Sequence, residues 1–191
     1  MKRSEINNVV KSSTVFFTKN GWALPPDPKW DVTDFGLGNY KKSGLLLINL
    51  CEELEYCEKL MYATIGQETP LHYHKKKKED IICRTGLLEI YLWKDNKIGI
   101  DETNSLTVKI NGVERTIEAG EKVLLQAGER VTIVSGIWHK FLPASEECII
   151  GEVSTANDDL NDNFFYNKAI GRFTAIDEDE TPVVRLLSDK N

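Results

Sequence analysis

Histidine is scarce in this chain: three in 191 residues. Long apolar runs are missing too. No stretch approaches the roughly 18 residues a membrane-crossing helix needs, so no spanning segment is expected. The opening "MKRSEINNVV" lacks the apolar core of a secretory leader. There is no surplus of positive charge. Lys and Arg number 24 against 30 Asp and Glu, and the net charge of −6 argues against a general nucleic-acid binder. The four cysteines (Cys51, Cys57, Cys83 and Cys148) show no CxxC metal spacing. They read as reduced packing thiols, which places the protein in the cytoplasm.

What is present reads as one globular domain, residues 1–191. Its length can bury a real core, and 41% hydrophobic with 28% charged residues is ordinary globular composition. "SEINNVVKSSTVFFTKNG" predicts a helix, capped by Ser4, with Ile6, Val9, Val10 and Phe17 at helical spacing and Asn20-Gly21 as its end. "WALPPDPKWDVTDFGLG" is too rich in proline and turn residues for a regular helix or a central strand. Its tryptophans suggest an arm that packs on something.

From residue 44 the pattern changes to short aliphatic and β-branched segments: "GLLLINLC", "EKLMYATI", "DIICRT", "LLEIYLW", "LTVKI", "KVLLQAG", "RVTIVS" and "CIIGEVS". Turn signals separate them at 94–97, Asn111-Gly112, Ala119-Gly120, Ala127-Gly128 and Ser135-Gly136. Such spacing predicts an all-β barrel or sandwich over about 44–155. The N-terminal arm (1–43) and a polar, acidic tail (156–191) are expected to pack outside it.

All three histidines fall in one pattern. On a strand, residues two apart share a face, so His72 and His74 aim together. A turn through Lys75–Lys78 would bring Glu79 back to the same place, and His139 follows "VSGIW" on a later strand. Three imidazoles and a carboxylate make a plausible divalent-metal shell, with positions left over for water or substrate. A lone HxH is most often a surface pair, but here no histidine is left over. The four lysines read as a solvated loop at the mouth of the barrel, with phosphate binding the weaker reading.

The spacing matches a known pattern. Gly66, five residues, His72-x-His74, four residues, Glu79, six residues and Gly86 fit the first cupin motif. Gly128, five residues, Val134-Ser135-Gly136, two residues and His139 resemble the second, with Val134 where proline is usual and Pro143 where asparagine is often found. The chain therefore resembles a metal-dependent cupin, which implies a jelly-roll barrel. "WDVTDFGLGNY", "YCEKLMYATIGQETPLHYH", "KKEDIICRTG", "EVSTANDD" and "GRFTAIDEDETPVVRLL" further resemble the D-lyxose isomerase family. That resemblance implies one manganese ion on His72, His74, Glu79 and His139, with zinc, cobalt or ferrous iron as alternatives. It also implies interconversion of free monosaccharides, D-lyxose with D-xylulose and D-mannose with D-fructose.

A proton shuttle for that chemistry must sit on strands beside the metal shell. Lys59 and Glu152 meet the requirement, although each also reads as a surface charge. In the tail, Asp162, Arg172, Glu178 and Glu180 are substrate-binding candidates that only the resemblance lifts above solvated surface. A cupin dioxygenase, a phosphosugar isomerase and a sugar-binding cupin without catalysis are the alternatives. A homodimer is expected, because cupins often pair and the Trp22–Trp30 arm offers apolar area.

Overall fold

"LLLINL" is apolar at nearly every position, the pattern of a strand covered on both faces. The computed structural model, which describes residues 1–95, 104–155, 157–171 and 174–189, bears this out. In strand β2 (Leu45–Glu52), Leu45 belongs to the core between two sheets, while Leu46 and Ile48 belong to a second cluster under helix α1 (Arg3–Lys19). Strand β3 (Tyr56–Thr64) divides the same way: Met61 and Ala63 face inward, and Leu60 and Tyr62 face the helix.

The larger sheet has eight strands in the order β1 (Lys29–Thr33), β2, β3, β12 (Glu147–Thr155), β5 (Glu79–Thr85), β10 (Arg130–Ile133), β7 (Ser105–Ile110) and β8 (Val113–Glu118). The smaller has five: β13 (Phe164–Phe165), β4 (His72–Tyr73), β11 (Trp138–Pro143), β6 (Leu87–Trp93) and β9 (Val123–Gln126). All neighbouring strands are antiparallel. The two sheets face each other over one core, the cupin jelly-roll arrangement. A short helix, α2 (Tyr40–Ser43), leads into β2.

Local chemistry sets the corners. Asn111 and Gly112 both take positive φ (53° and 80°) between paired Ile110 and Val113, a two-residue hairpin turn. Gly86, in the first cupin motif, has φ 87°, and a Cβ there would collide with Ser145 Oγ and lie 2.7 Å from the Glu147 carbonyl. Only glycine fits where β5 turns into β6.

Three details differ from the sequence reading. Ser4 does not cap α1. The helix starts two residues earlier, at Arg3 with Lys2 in the cap position, and the Ser4 backbone N–H and hydroxyl both donate to Asp179. The strands extend beyond 44–155: β1 comes from the N-terminal arm and β13 from the tail, each at a sheet edge, where proline-rich or polar sequence is tolerated. Trp30 is buried inside the chain against Leu186, so the arm keeps this apolar area for itself.

The tail runs alongside α1 almost residue for residue. The Met1 ammonium donates to the Ala175 carbonyl, and Lys2 bridges Asp177. Arg3 grips Glu178 at 2.7 Å and Asp189 at 2.6 Å, and Asn7 holds Glu180 and the Thr181 carbonyl.

Candidate active site

His72 and His139 are direct partners in the β4–β11 pair, which sets their imidazoles side by side. His74 follows β4, and the turn through 75–78 returns the chain to Glu79 at the head of β5. One ring nitrogen from each of His72, His74 and His139 lies within 4.8 Å of the other two. Glu79 Oε1 lies 2.9 Å from His139 Nε2 and 3.5 Å from His74 Nε2. The structure thus brings all four sequence-expected ligands together.

Each imidazole is oriented from behind. His72 Nδ1 donates to the Pro70 carbonyl (2.8 Å), His74 Nδ1 to Asp162 (2.6 Å) and His139 Nδ1 to Ile137 (3.0 Å). A carbonyl can only accept, so Nδ1 carries the hydrogen and in the neutral ring Nε2 presents a lone pair. Burial, with His139 and His74 alongside, holds the His72 pKa well below the usual histidine value, so that ring is neutral. Burial alone would raise the pKa of Glu79, but the Lys77 ammonium at 2.8 Å outweighs it and keeps the carboxyl well below its ordinary range.

The site therefore gathers lone pairs in one place. His74 Nε2, His139 Nε2 and Glu79 Oε1 are buried with no hydrogen-bond partner. Groups left so are costly unless something satisfies them. Three imidazole nitrogens and a carboxylate oxygen aimed at one point fit a divalent metal ion, and the histidine cluster could hold one.

The adjoining cavity encloses about 90 Å3 of space open to the centre of a water molecule. Lys59 and Glu152 both line it, paired across β3 and β12, so the structure brings these two candidates to the metal cluster. Lys59 Nζ donates to Asn157 (2.8 Å) and Asp159 (3.0 Å) and lies 3.7 Å from Glu152.

The lysine turn corrects the sequence reading. Lys75, Lys76 and Lys78 are exposed as expected, but Lys77 is buried. Its ammonium sits 2.8 Å from Glu79 Oε2 and 2.8 Å from Glu152 Oε1. Burial opposes that charge, yet Glu152 and Glu79 outweigh it and raise the Lys77 pKa above the ordinary lysine value.

The tail candidates separate. Asp162 is buried, but its carboxylate accepts the backbone N–H groups of Lys75, Lys76 and Lys77 while its carbonyl holds His74. It fixes the turn that carries the site rather than facing the cavity. Glu178 and Glu180 are bound to Arg3 and Asn7 on α1, away from the cavity lining. Arg172 lies outside the described residues.

Sequence reasoning missed Lys77, Asp159, Asp31 and Asn163, all of which line the cavity. It also missed Phe35 and Phe165, whose rings meet edge to face at 5.9 Å. Asp159 had a signal in the dense polar run "ANDDLNDN"; Lys77 had none that set it apart from its three neighbours.

Comparison with known proteins agrees with the geometry. The profile of the D-lyxose isomerase family matches residues 27–190. The D-lyxose/D-mannose isomerase of Escherichia coli O157:H7 is 33% identical, with 94% of each chain covered. That of Serratia proteamaculans is 33% identical over 95% of this chain and 94% of its own. The D-lyxose ketol-isomerase of Cohnella laeviribosi is 29% identical over 86% of this chain and 91% of its own. Among solved structures, the L-ribose isomerase of Cellulomonas parahominis with L-ribose superposes with a TM-score of 0.69 at 18% identity, covering 93% of this chain and 98% of that one. This last likeness speaks for the fold alone. With the family profile spanning most of the chain and close relatives matching nearly end to end, the protein belongs to the D-lyxose isomerase family and is a sugar isomerase.

Proposed function

We propose that the protein is a metal-dependent aldose–ketose isomerase of free sugars, interconverting D-lyxose with D-xylulose and D-mannose with D-fructose through an enediol. One observation carries the reading: the convergent lone pairs of His74, His139 and Glu79 stand beside a second buried carboxylate, Glu152, tied to them through Lys77. His72, His74, Glu79 and His139 would hold the ion, manganese first among those the family resemblance implies. When bound, it supplies Lewis acidity to neighbouring carbonyl and hydroxyl oxygens.

The chain's own groups move the proton. Glu152 takes a proton from the carbon beside the carbonyl, and the C–H electrons become the enediol double bond as the carbonyl oxygen gains a proton. The carboxyl then returns its proton to the neighbouring carbon, and the other hydroxyl's proton makes good the one gained by the first oxygen as the new carbonyl forms. Lys77 and Lys59 both address Glu152 Oε1, so Oε2 is the oxygen assigned to the transfer.

A free-sugar substrate is supported over a sugar phosphate. Among the described residues, both lysines lining the cavity already face carboxylates, Lys77 with Glu79 and Glu152 and Lys59 with Asp159. A phosphate would have to displace these pairs. We also propose a homodimer, supported by the outer face of the smaller sheet, where Tyr73 stacks on Phe164 and Tyr166 is half exposed. Cytoplasmic residence is supported by the four free thiols.

Glu152→Gln is the test. Turnover of D-lyxose should fall by about two orders of magnitude or more. Exchange of deuterium from heavy water into the carbon beside the carbonyl should disappear, while metal content stays at the wild-type level. Undiminished exchange would show that the base lies elsewhere, with Asp159 the next carboxylate in the cavity.

A further inference from the structure

Phe35 sits in a backbone conformation that a bulky residue rarely adopts, with φ 56°. Nearby Gly36 and Gly38 also have positive φ, so the loop places glycine where the left-handed region is needed, and residue 35 is the exception. A knot of hydrogen bonds holds it there. Its N–H donates to Thr33 Oγ1 (2.8 Å), and its carbonyl accepts from Gly171 (3.3 Å). Thr174 Oγ1 donates to the carboxylate of buried Asp34 at 2.7 Å, and Thr33 and Thr174 touch at 3.1 Å. The strained backbone presents the ring to the cavity, edge to face with Phe165. Phe165 in turn lies 5.7 Å from the His72 ring.

These two rings come from outside the core of the barrel, one from the loop after β1 and the other from β13. Together they line the cavity beside the barrel strands and the loop residues Thr69, Pro70, Asp159 and Asn163. The cavity is small. It encloses about 90 Å3 of space open to the centre of a water molecule. A hexose exceeds a pentose by one carbon and one hydroxyl, so at this size the extra group has to be met by the wall.

We infer that the Phe35–Phe165 pair is the specificity-determining wall of the site, and that it favours pentoses over hexoses by leaving little room for the extra carbon and hydroxyl. The inference rests on the sugar-isomerase reading above and adds to it which part of the substrate is measured, and by what. The strained Phe35 backbone is then the means of aiming a rigid ring from a loop that would otherwise take glycine.

Phe35→Gly is the informative variant, because glycine accepts φ 56° without strain and the backbone should hold. The ratio of kcat/KM for D-mannose to that for D-lyxose should rise about tenfold or more, the scale on which pockets discriminate single methylene-sized groups. Phe165→Leu, which trims the same wall from the opposite arm, should shift the ratio in the same direction. An unchanged ratio in both variants, or a parallel fall for both sugars, would overturn the inference and leave the rings as a plain seal. If the wild-type protein turns over neither sugar, the isomerase reading fails, and the wall is then judged by calorimetry with sugar alcohols, which need no chemistry. Phe35→Gly should gain affinity for a hexitol relative to a pentitol; equal changes for the two would refute the wall.

Discussion

Removing the Lys77 ammonium strands two buried carboxylates. Glu79 and Glu152 each lose a partner at 2.8 Å, and breaking a buried pair from one side costs about 3–5 kcal/mol. Lys77→Met should therefore lower the thermal midpoint of the metal-free protein sharply, whereas Lys76→Met and Lys78→Met should stay within about 0.5 kcal/mol of wild type. Added metal should recover part of the Lys77→Met loss, because a cation at the histidine cluster would again give Glu79 a partner; no recovery would argue against Glu79 as a ligand. The contrast within four identical letters marks a limit of sequence reading. His72, His74, Glu79 and His139 could be found because strand period and motif spacing fix where they point. Which lysine of the run turns inward depends on the pitch of one turn, and that pitch is set by Asp162, far along the chain.

At the scale of the element, the turn between β4 and β5 is held from outside. Three backbone N–H groups end on the Asp162 carboxylate, and the Asp162 carbonyl orients His74. Supports of this kind commonly govern metal affinity by about 10–100-fold, so Asp162→Ala should weaken metal binding by that factor in a chelator competition, although Asp162 is not itself an expected ligand. Burial would raise the Asp162 pKa, but the backbone donors of Lys77, Lys75 and Lys76 outweigh it and the net shift is downward. A carboxyl with a depressed folded-state pKa stabilises the fold above its unfolded value, near 3.9, and loses that contribution as pH falls through the folded value. The difference in metal-free melting between wild type and Asp162→Asn should thus hold steady from about pH 7 to pH 5 and shrink below about pH 4. From the sequence, Asp162 was selected for its charge and chain position, but not for this task. Its partners are backbone groups more than eighty residues away, and side-chain patterning carries no trace of them.

Across the whole molecule, the two chain ends fasten to each other. Arg3 is almost fully buried, and its guanidinium joins Glu178 and Asp189. Arg3→Met should cost about 1–3 kcal/mol, less than a fully buried pair because Glu178 is largely exposed. It should also speed limited proteolysis in residues 177–189. The barrel was legible in advance because turn residues and apolar strands repeat locally. The edge strands β1 and β13 were not, because they are short and are defined by what they pair with. The same fastening bears on how the protein is made. Chains are synthesised from the N-terminus, so α1 leaves the ribosome before the partners of Arg3 and Asn7 among residues 178–189, which follow more than 170 residues later. Until then the helix has buried polar groups with nothing to bind. The strap that places Asp162 and Phe165 at the site is likewise synthesised after strands β1 to β12. A nascent chain can therefore pair most of its barrel strands before it has a finished active site, and the competence to act on sugar arrives only with the segment that carries Asp159, Asp162 and Phe165.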